Sequence, residues 1–175
     1  MDNLKVIDRI SFDILRQLAN NARLSNKQVA AAVGLAPSTT HGRLKQLHSF
    51  GAYRGAHADV DLKKLGFGVE ALMHIGLAKQ KTKAVTSFLK KLQRLAVVRQ
   101  FFIVTGRFDL IVHIAIRDTE HLKNLVYEFT VSPIIERIET SVLFESWSQH
   151  RLPEPAWLQD LEAPRPTRRN RRGAR

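Results

Sequence analysis

The side chains best suited to acid–base or metal chemistry are seven histidines, His41, His48, His57, His74, His113, His121 and His150, and their spacing argues against both. None stands in a His-Glu-x-x-His arrangement, which would set two imidazoles and a carboxylate on one helical face. His41 and His48 are two helical turns apart, about 10.5 Å along an axis, too far to share one ion. With 0 cysteines, thiol nucleophiles, iron–sulfur clusters and the usual structural zinc sites are ruled out. No catalytic residue, metal ligand or cofactor is expected, and the chain is not read as an enzyme. His74 and His113 are read as half-buried neighbours on one sheet face.

A second kind of chemistry is recognition of phosphates and base edges. Ser38, Thr39, Thr40 and His41 are followed by Arg43 and Lys45, with Arg54 beyond. Hydroxyls at a helix start favour a phosphate, because free N–H groups and the helix dipole point there; Arg and Lys reach guanine edges or phosphates. A third group is Gly106-Arg107-Phe108-Asp109. Gly106 would admit close backbone approach, Arg107 would pair with a carboxylate and Asp109 would accept from an ammonium. The same four residues also suit a tight turn in which Asp109 is a structural cap.

These groups need elements to hold them. Ile10, Ile14, Leu18 and Ala22 recur every four residues, predicting an amphipathic helix capped by Ser11 or Asp8. Ser25 caps a short second helix through Val29, Ala30 and Val33, which Gly34 ends. A third helix starts near Pro37 and runs to about Ser49, with Leu44 and Leu47 inward and Ser38, Thr39, His41, Arg43, Lys45 and Gln46 outward. Two helices joined by a short turn, the second with a polar, cationic outer face, form a helix-turn-helix suited to the major groove. Gly51-Ala52-Tyr53-Arg54-Gly55 suggests a short hairpin or wing. Taken alone, residues 7 to 50 also fit a three-helix bundle with a solvated basic face.

The later pattern differs. Val69, Ala71, Met73, Ile75 and Leu77 alternate as in a strand, Thr82 to Arg94 is helical, and Val97 to Val104 and Phe108 to Ile116 read as adjacent strands. Thr119 to about Val131 is a second helix, and Ile138 to Phe144 alternates again. The order β-α-β-β-α-β is the ferredoxin-like unit, so the fold class is α+β: a winged helix-turn-helix plus a ferredoxin-like domain. Its uncovered sheet face carries Leu72, His74, Ile111, Ala115 and Leu143 among few charges such as Glu70 and Glu139. An apolar face of that size calls for a second copy of the chain, a homodimer. The expected boundaries are 1–59 for the DNA-binding domain, 60–68 for a linker, 69–150 for the oligomerisation and effector domain, and 151–175 for a disordered Pro/Arg-rich tail.

The net charge of +12 is even along the chain: 8 cationic against 4 acidic residues in 1–60, 13 against 9 in 61–150 and 7 against 3 in 151–175. That surplus suits polyanions without separating DNA from RNA or anionic lipid. No apolar run approaches the roughly 18 residues of a membrane span, and Met1-Asp2-Asn3-Leu4-Lys5 lacks the order of an export signal. A cytoplasmic location without membrane contact is expected.

Several motifs together resemble the Lrp/AsnC, or feast/famine, family of prokaryotic regulators, over roughly Val6 to His150. They are Ile7-Asp8-Arg9-Ile10, Asn21-Ala22-Arg23-Leu24-Ser25, Val33-Gly34-Leu35-Ala36-Pro37-Ser38, Arg43-Leu44-Lys45-Gln46-Leu47 with Gly51 and Gly55, Asp61 through Leu65-Gly66, and Val104-Thr105-Gly106-Arg107-Phe108-Asp109-Leu110. The resemblance implies a transcription regulator that binds double-stranded DNA, with a domain of the regulation-of-amino-acid-metabolism type, dimers that also build tetramers or octamers, and an amino-acid effector. It assigns Ser38, Thr39, Thr40, His41, Arg43, Lys45 and Arg54 to DNA, and Gly106, Arg107, Phe108 and Asp109 to the effector. Three departures stand out, one of them Gly42 inside the third helix, which costs about 1 kcal/mol of helix stability. Ala36 replaces a frequent capping Ser, and Arg107 replaces a frequent acid, so the ligand preference of other members does not transfer. Haem-pathway decarboxylases, which act on a sirohaem-type tetrapyrrole, share the two-domain plan and are the alternative. Stand-alone regulatory domains lack residues 7 to 55.

Overall fold

The computed structural model describes residues 7–78 and 82–158. The chain forms two compact units, one comprising residues 7–58 with 148–158 and the other Asp59–Trp147. Among the described residues no helix is long and apolar enough to cross a membrane.

The first unit holds α1 (Arg9–Asn20), α2 (Asn26–Ala32) and α3 (Pro37–Ser49). Asp8 caps α1 by accepting the Ser11 N–H at 2.8 Å. Ser25 caps α2 and Gln28 returns the bond to the Ser25 N–H, a reciprocal box that satisfies two N–H groups with no helical partner. Gly34 follows at φ 69°, a left-handed conformation that glycine adopts without a Cβ clash and that turns the chain into α3. Ile14, Leu18, Val29 and Leu47 form the core, with Ile10, Leu44 and Tyr53 packed around it. Ala22 does not extend the α1 stripe: the helix ends at Asn20 and Ala22 is exposed. The expected hairpin is also absent, since residues 51–61 contain no strand. The start of that segment is instead tied to the end of α3, with the Ala52 and Tyr53 N–H groups donating to Leu47 O at 3.0 and 3.1 Å.

The tail expected to be disordered from residue 151 is packed as far as it is described. Arg9 Nη1 lies 2.8 Å from Glu154 Oε1, and Leu158 is wholly buried. Residues 148–152 border an open cavity of about 760 Å³ with Arg16, Ala19 and Asn20 of α1. A buried leucine and an ion pair offset the entropy of ordering a segment whose composition suggests none. The basic run from Arg165 onward lies outside the described residues.

In the second unit, the stretch expected as a linker folds with the domain: Lys63–Leu65 is a single 3-10 turn closed by Gly66, and the Gly68 N–H donates to Arg117 O at 3.1 Å. There follow β1 (Val69–Leu77), α4 (Thr82–Arg94), β2 (Val98–Ile103), β3 (Leu110–Ile116), α5 (Thr119–Thr130) and β4 (Ile135–Leu143). The strands form an antiparallel sheet in the order β2-β3-β1-β4. Ala71, Met73 and Ile75 of β1 and Val112, Ile114 and Ile116 of β3 pack with Phe88, Leu92, Leu125 and Phe129 of the helices. The Phe88 and Phe129 rings meet edge-on at 5.9 Å, and Lys91 pairs with Glu128 at 2.9 Å, so α4 and α5 touch through both apolar and charged groups. β4 begins three residues before the alternation that starts at Ile138. The ladder shifts between Gly76 and Leu77, where Gly76 faces Arg137 and Leu77 faces Ile135, and that extra residue breaks the two-residue period.

Candidate DNA interface and effector site

Along α3 the spacing of Thr40, Leu44 and Leu47 marks one face, and that face turns inward: Thr40 and Leu47 are buried. The Thr40 hydroxyl donates to Ala36 O at 3.2 Å, one turn back. Thr40 therefore leaves the DNA-facing set; a threonine at this position follows the helical period rather than its polar type. Arg43 is engaged within its own unit. It lies on the flank between Thr40 and Leu47, and its Nη1 donates to Asp8 Oδ1 and Oδ2 at 2.8 Å and to Ser11 Oγ at 2.9 Å. Arg43 thus braces α3 against the start of α1.

Ser38, Thr39, His41, Lys45 and Gln46 remain exposed on α3, and Arg54 is exposed beyond it. Ala36 supplies no side-chain cap and Ser38 does not replace it. The first-turn N–H groups are consequently left for solvent or an anion. Asn26 Nδ2 donates to Pro37 O at 2.7 Å and fixes the start of α3 against α2. Gly42 is exposed mid-helix, and a Cβ built on it meets nothing within 4 Å.

Asp8 experiences opposing influences. Its burial raises the carboxyl pKa, but the backbone and hydroxyl bonds from Ser11 and the bond and charge of Arg43 outweigh it, and the net shift is downward. The carboxylate stays ionised to lower pH than an ordinary aspartate, which holds cap and brace together.

On the sheet, Gly106 takes φ 119° and turns the chain from β2 to β3. Asp109 Oδ2 accepts the Leu77 N–H at 2.7 Å, at the point where the β1–β4 ladder shifts. Of the two roles open to Asp109, the structural cap is the one its geometry displays. Arg107 pairs with Glu139, and its guanidinium carbon lies 5.2 Å from the centre of the Phe108 ring. The Arg137 guanidinium lies 5.7 Å from the same ring, and the His74 ring 5.5 Å from it. His74, Arg137 and Glu139 were not singled out as site residues from sequence, since only strand register brings β1 and β4 to the β2–β3 turn.

Leu72, His74, Ile111 and His113 are half-buried on the uncovered face, whereas Ala115, which alternation also puts there, is already buried. His74 and His113 are diagonal rather than opposite: His74 faces Ile111, and Leu72 faces His113. His113 Nε2 lies 2.9 Å from Glu70 Oε2. Among the described residues no group of three or more His, Cys, Asp or Glu could hold a metal ion.

Comparison with known proteins agrees with this geometry. Residues 7–49 match a family profile described as "Winged helix-turn-helix DNA-binding", and residues 70–153 one described as "Lrp/AsnC ligand binding domain". The HTH-type transcriptional regulator AldR of Mycolicibacterium smegmatis is 34% identical over 140 residues, covering 79% of this chain and 82% of that protein. The solved structure of Escherichia coli AsnC aligns at TM-score 0.68 and 28% identity, covering 80% of this chain and 93% of that one. A Neisseria meningitidis transcriptional regulator crystallised with L-Met aligns at TM-score 0.77 and 24% identity over 84% of this chain and 96% of that one, a likeness of fold. None of these matches supports the tetrapyrrole-decarboxylase alternative. With a DNA-binding helix-turn-helix followed by the ligand-binding domain, the chain belongs to the Lrp/AsnC family of transcriptional regulators.

Proposed function

We propose that this DNA-binding transcription regulator reads its operator with the outer face of α3. Ser38 and Thr39 sit at the phosphate-binding end, His41, Lys45 and Gln46 reach base edges, and Arg54 contacts the backbone beside the groove. The observation that carries this reading is the contrast along one helix. Among the described residues none of those side chains makes a hydrogen bond or ion pair, while the inward-flanking Arg43 is held through its Nη1 by Asp8 and Ser11. Binding-site selection from random duplexes, followed by gel-shift titration, tests it. Lys45→Ala should weaken specific binding by about 1–3 kcal/mol and leave the fold intact. Wild-type affinity in that variant refutes the assignment.

The uncovered sheet face pairs two copies of the chain, burying Leu72 and Ile111, and exposed Phe102 and Ile103 on the edge strand β2 favour further association into tetramers or octamers. A small effector of amino-acid type binds beside the Gly106–Asp109 turn and biases that assembly. The match to a ligand-binding domain over residues 70–153 supports it. Thermal unfolding against the twenty amino acids would expose such a ligand, since one present at 100 times its Kd stabilises by about 2.7 kcal/mol. No enzymatic step is assigned, and the protein acts in the cytoplasm on duplex DNA.

A further inference from the structure

The uncovered sheet face is divided in character. Toward the start of β1 it carries Leu72 beside the Glu70–His113 pair, whose charges are matched; toward the end of β1 it gathers Arg107, Phe108, Arg137, Glu139 and His74. Charges at this second end do not balance. Glu139 is taken by Arg107, and the nearby Asp109 is committed to the Leu77 N–H. Among the described residues no carboxylate pairs with Arg137.

Arg137 is also held in place. Its cross-strand partner is Gly76, and a Cβ built there would lie 2.8 Å from both Cγ and Nε of Arg137. Gly76 has no positive φ, so the backbone does not demand glycine at this position. What the missing side chain provides is a notch through which the Arg137 stem crosses β1 to set its guanidinium near Phe108. A planar cation laid near an aromatic ring keeps its N–H edge available for a carboxylate.

We propose that Arg137, seated in the Gly76 notch against Phe108, receives a carboxylate of a small effector that carries net negative charge, such as an acidic amino acid or a dicarboxylate. The inference rests on the effector reading above and narrows it. At this end Glu139 and Asp109 are both committed, so a zwitterionic amino acid finds neither carboxylate for its ammonium, whereas an anion meets the Arg137 guanidinium, which pairs with no carboxylate among the described residues.

Calorimetric titration of the full chain tests this with L-glutamate, L-aspartate and succinate against L-leucine, L-methionine and L-alanine. The acidic probes should bind, and succinate separates a plain dicarboxylate from an amino acid as the source of the charge. Arg137→Gln should weaken acidic binding at least tenfold. Gly76→Ala should do the same while melting temperature and sedimentation stay at wild-type values, because an arginine side chain can swing away where backbone could not. Binding of a zwitterionic probe with affinity unchanged in both variants overturns the acidic class and leaves the effector reading standing. Binding of none of these probes, with no thermal shift from any of the twenty amino acids, overturns both.

Discussion

Arg43 Nη1 lies 2.8 Å from each carboxylate oxygen of Asp8, 35 residues earlier in the chain, and the same Asp8 caps α1 through the Ser11 N–H. One carboxylate therefore both starts the first helix and anchors the helix assigned to the DNA groove. An arginine whose type and position suggest base reading is spent on orienting its helix. Its neighbours on the outer face carry the proposed reading role.

Asp8→Asn should lower the stability of the helix-turn-helix unit by about 1 kcal/mol, since Asn still caps while the ionic brace is lost; Asp8→Ala should cost about 1–2 kcal/mol by removing both. The pH dependence has a definite sign. Because the folded-state pKa of Asp8 is depressed, its contribution is complete above the unfolded value of about 3.9 and disappears as pH falls through the lower folded value. Thermal melts from pH 7 to pH 2 should show a shallower acid limb in Asp8→Asn than in wild type; superimposable curves contradict the brace.

Gly42→Ala separates folding from binding. A Cβ there meets nothing within 4 Å, so the exchange should stabilise the free protein by about 1 kcal/mol. The same methyl projects from the face assigned to the groove, where operator affinity should fall. A melting temperature at or below wild type defeats the first half, and unchanged gel-shift affinity the second.

Ile111 stands half-exposed in the middle of the uncovered sheet face, opposite His74 on β1 and Phe102 on β2. Ile111→Glu should convert the sedimenting species to a monomer, since a carboxylate forced into an apolar interface costs several kcal/mol unless it is paired. Far-ultraviolet circular dichroism should stay native. A wild-type sedimentation profile places the interface elsewhere.

Removing residues 148–175 deletes the Glu154 partner of Arg9 and the buried Leu158. The helix-turn-helix unit should lose about 2 kcal/mol, mostly from the leucine, as the exposed ion pair contributes little. An unchanged melting temperature would show that the segment only rests on the unit.

Local rules written along the chain determined a good deal about this protein. The Ser25 cap, the left-handed Gly34, the alternation through β1 and β3 and the helical stripes of α4 and α5 each depend on neighbours within a few positions, and the order β-α-β-β-α-β follows from them. What lay beyond such rules is what long-range placement decides. Thr40 turned inward because its helical phase outweighed its hydroxyl, Arg43 went to Asp8 because α1 packs across α3, and residues 148–158 returned to the first unit because a buried leucine stabilises order that composition does not suggest. The Gly76 notch depends on the register between β1 and β4, a pairing across some sixty residues. Side chains that meet only when separate elements dock leave no periodic trace, because the free energy joining them arises from contacts that exist only in the assembled fold.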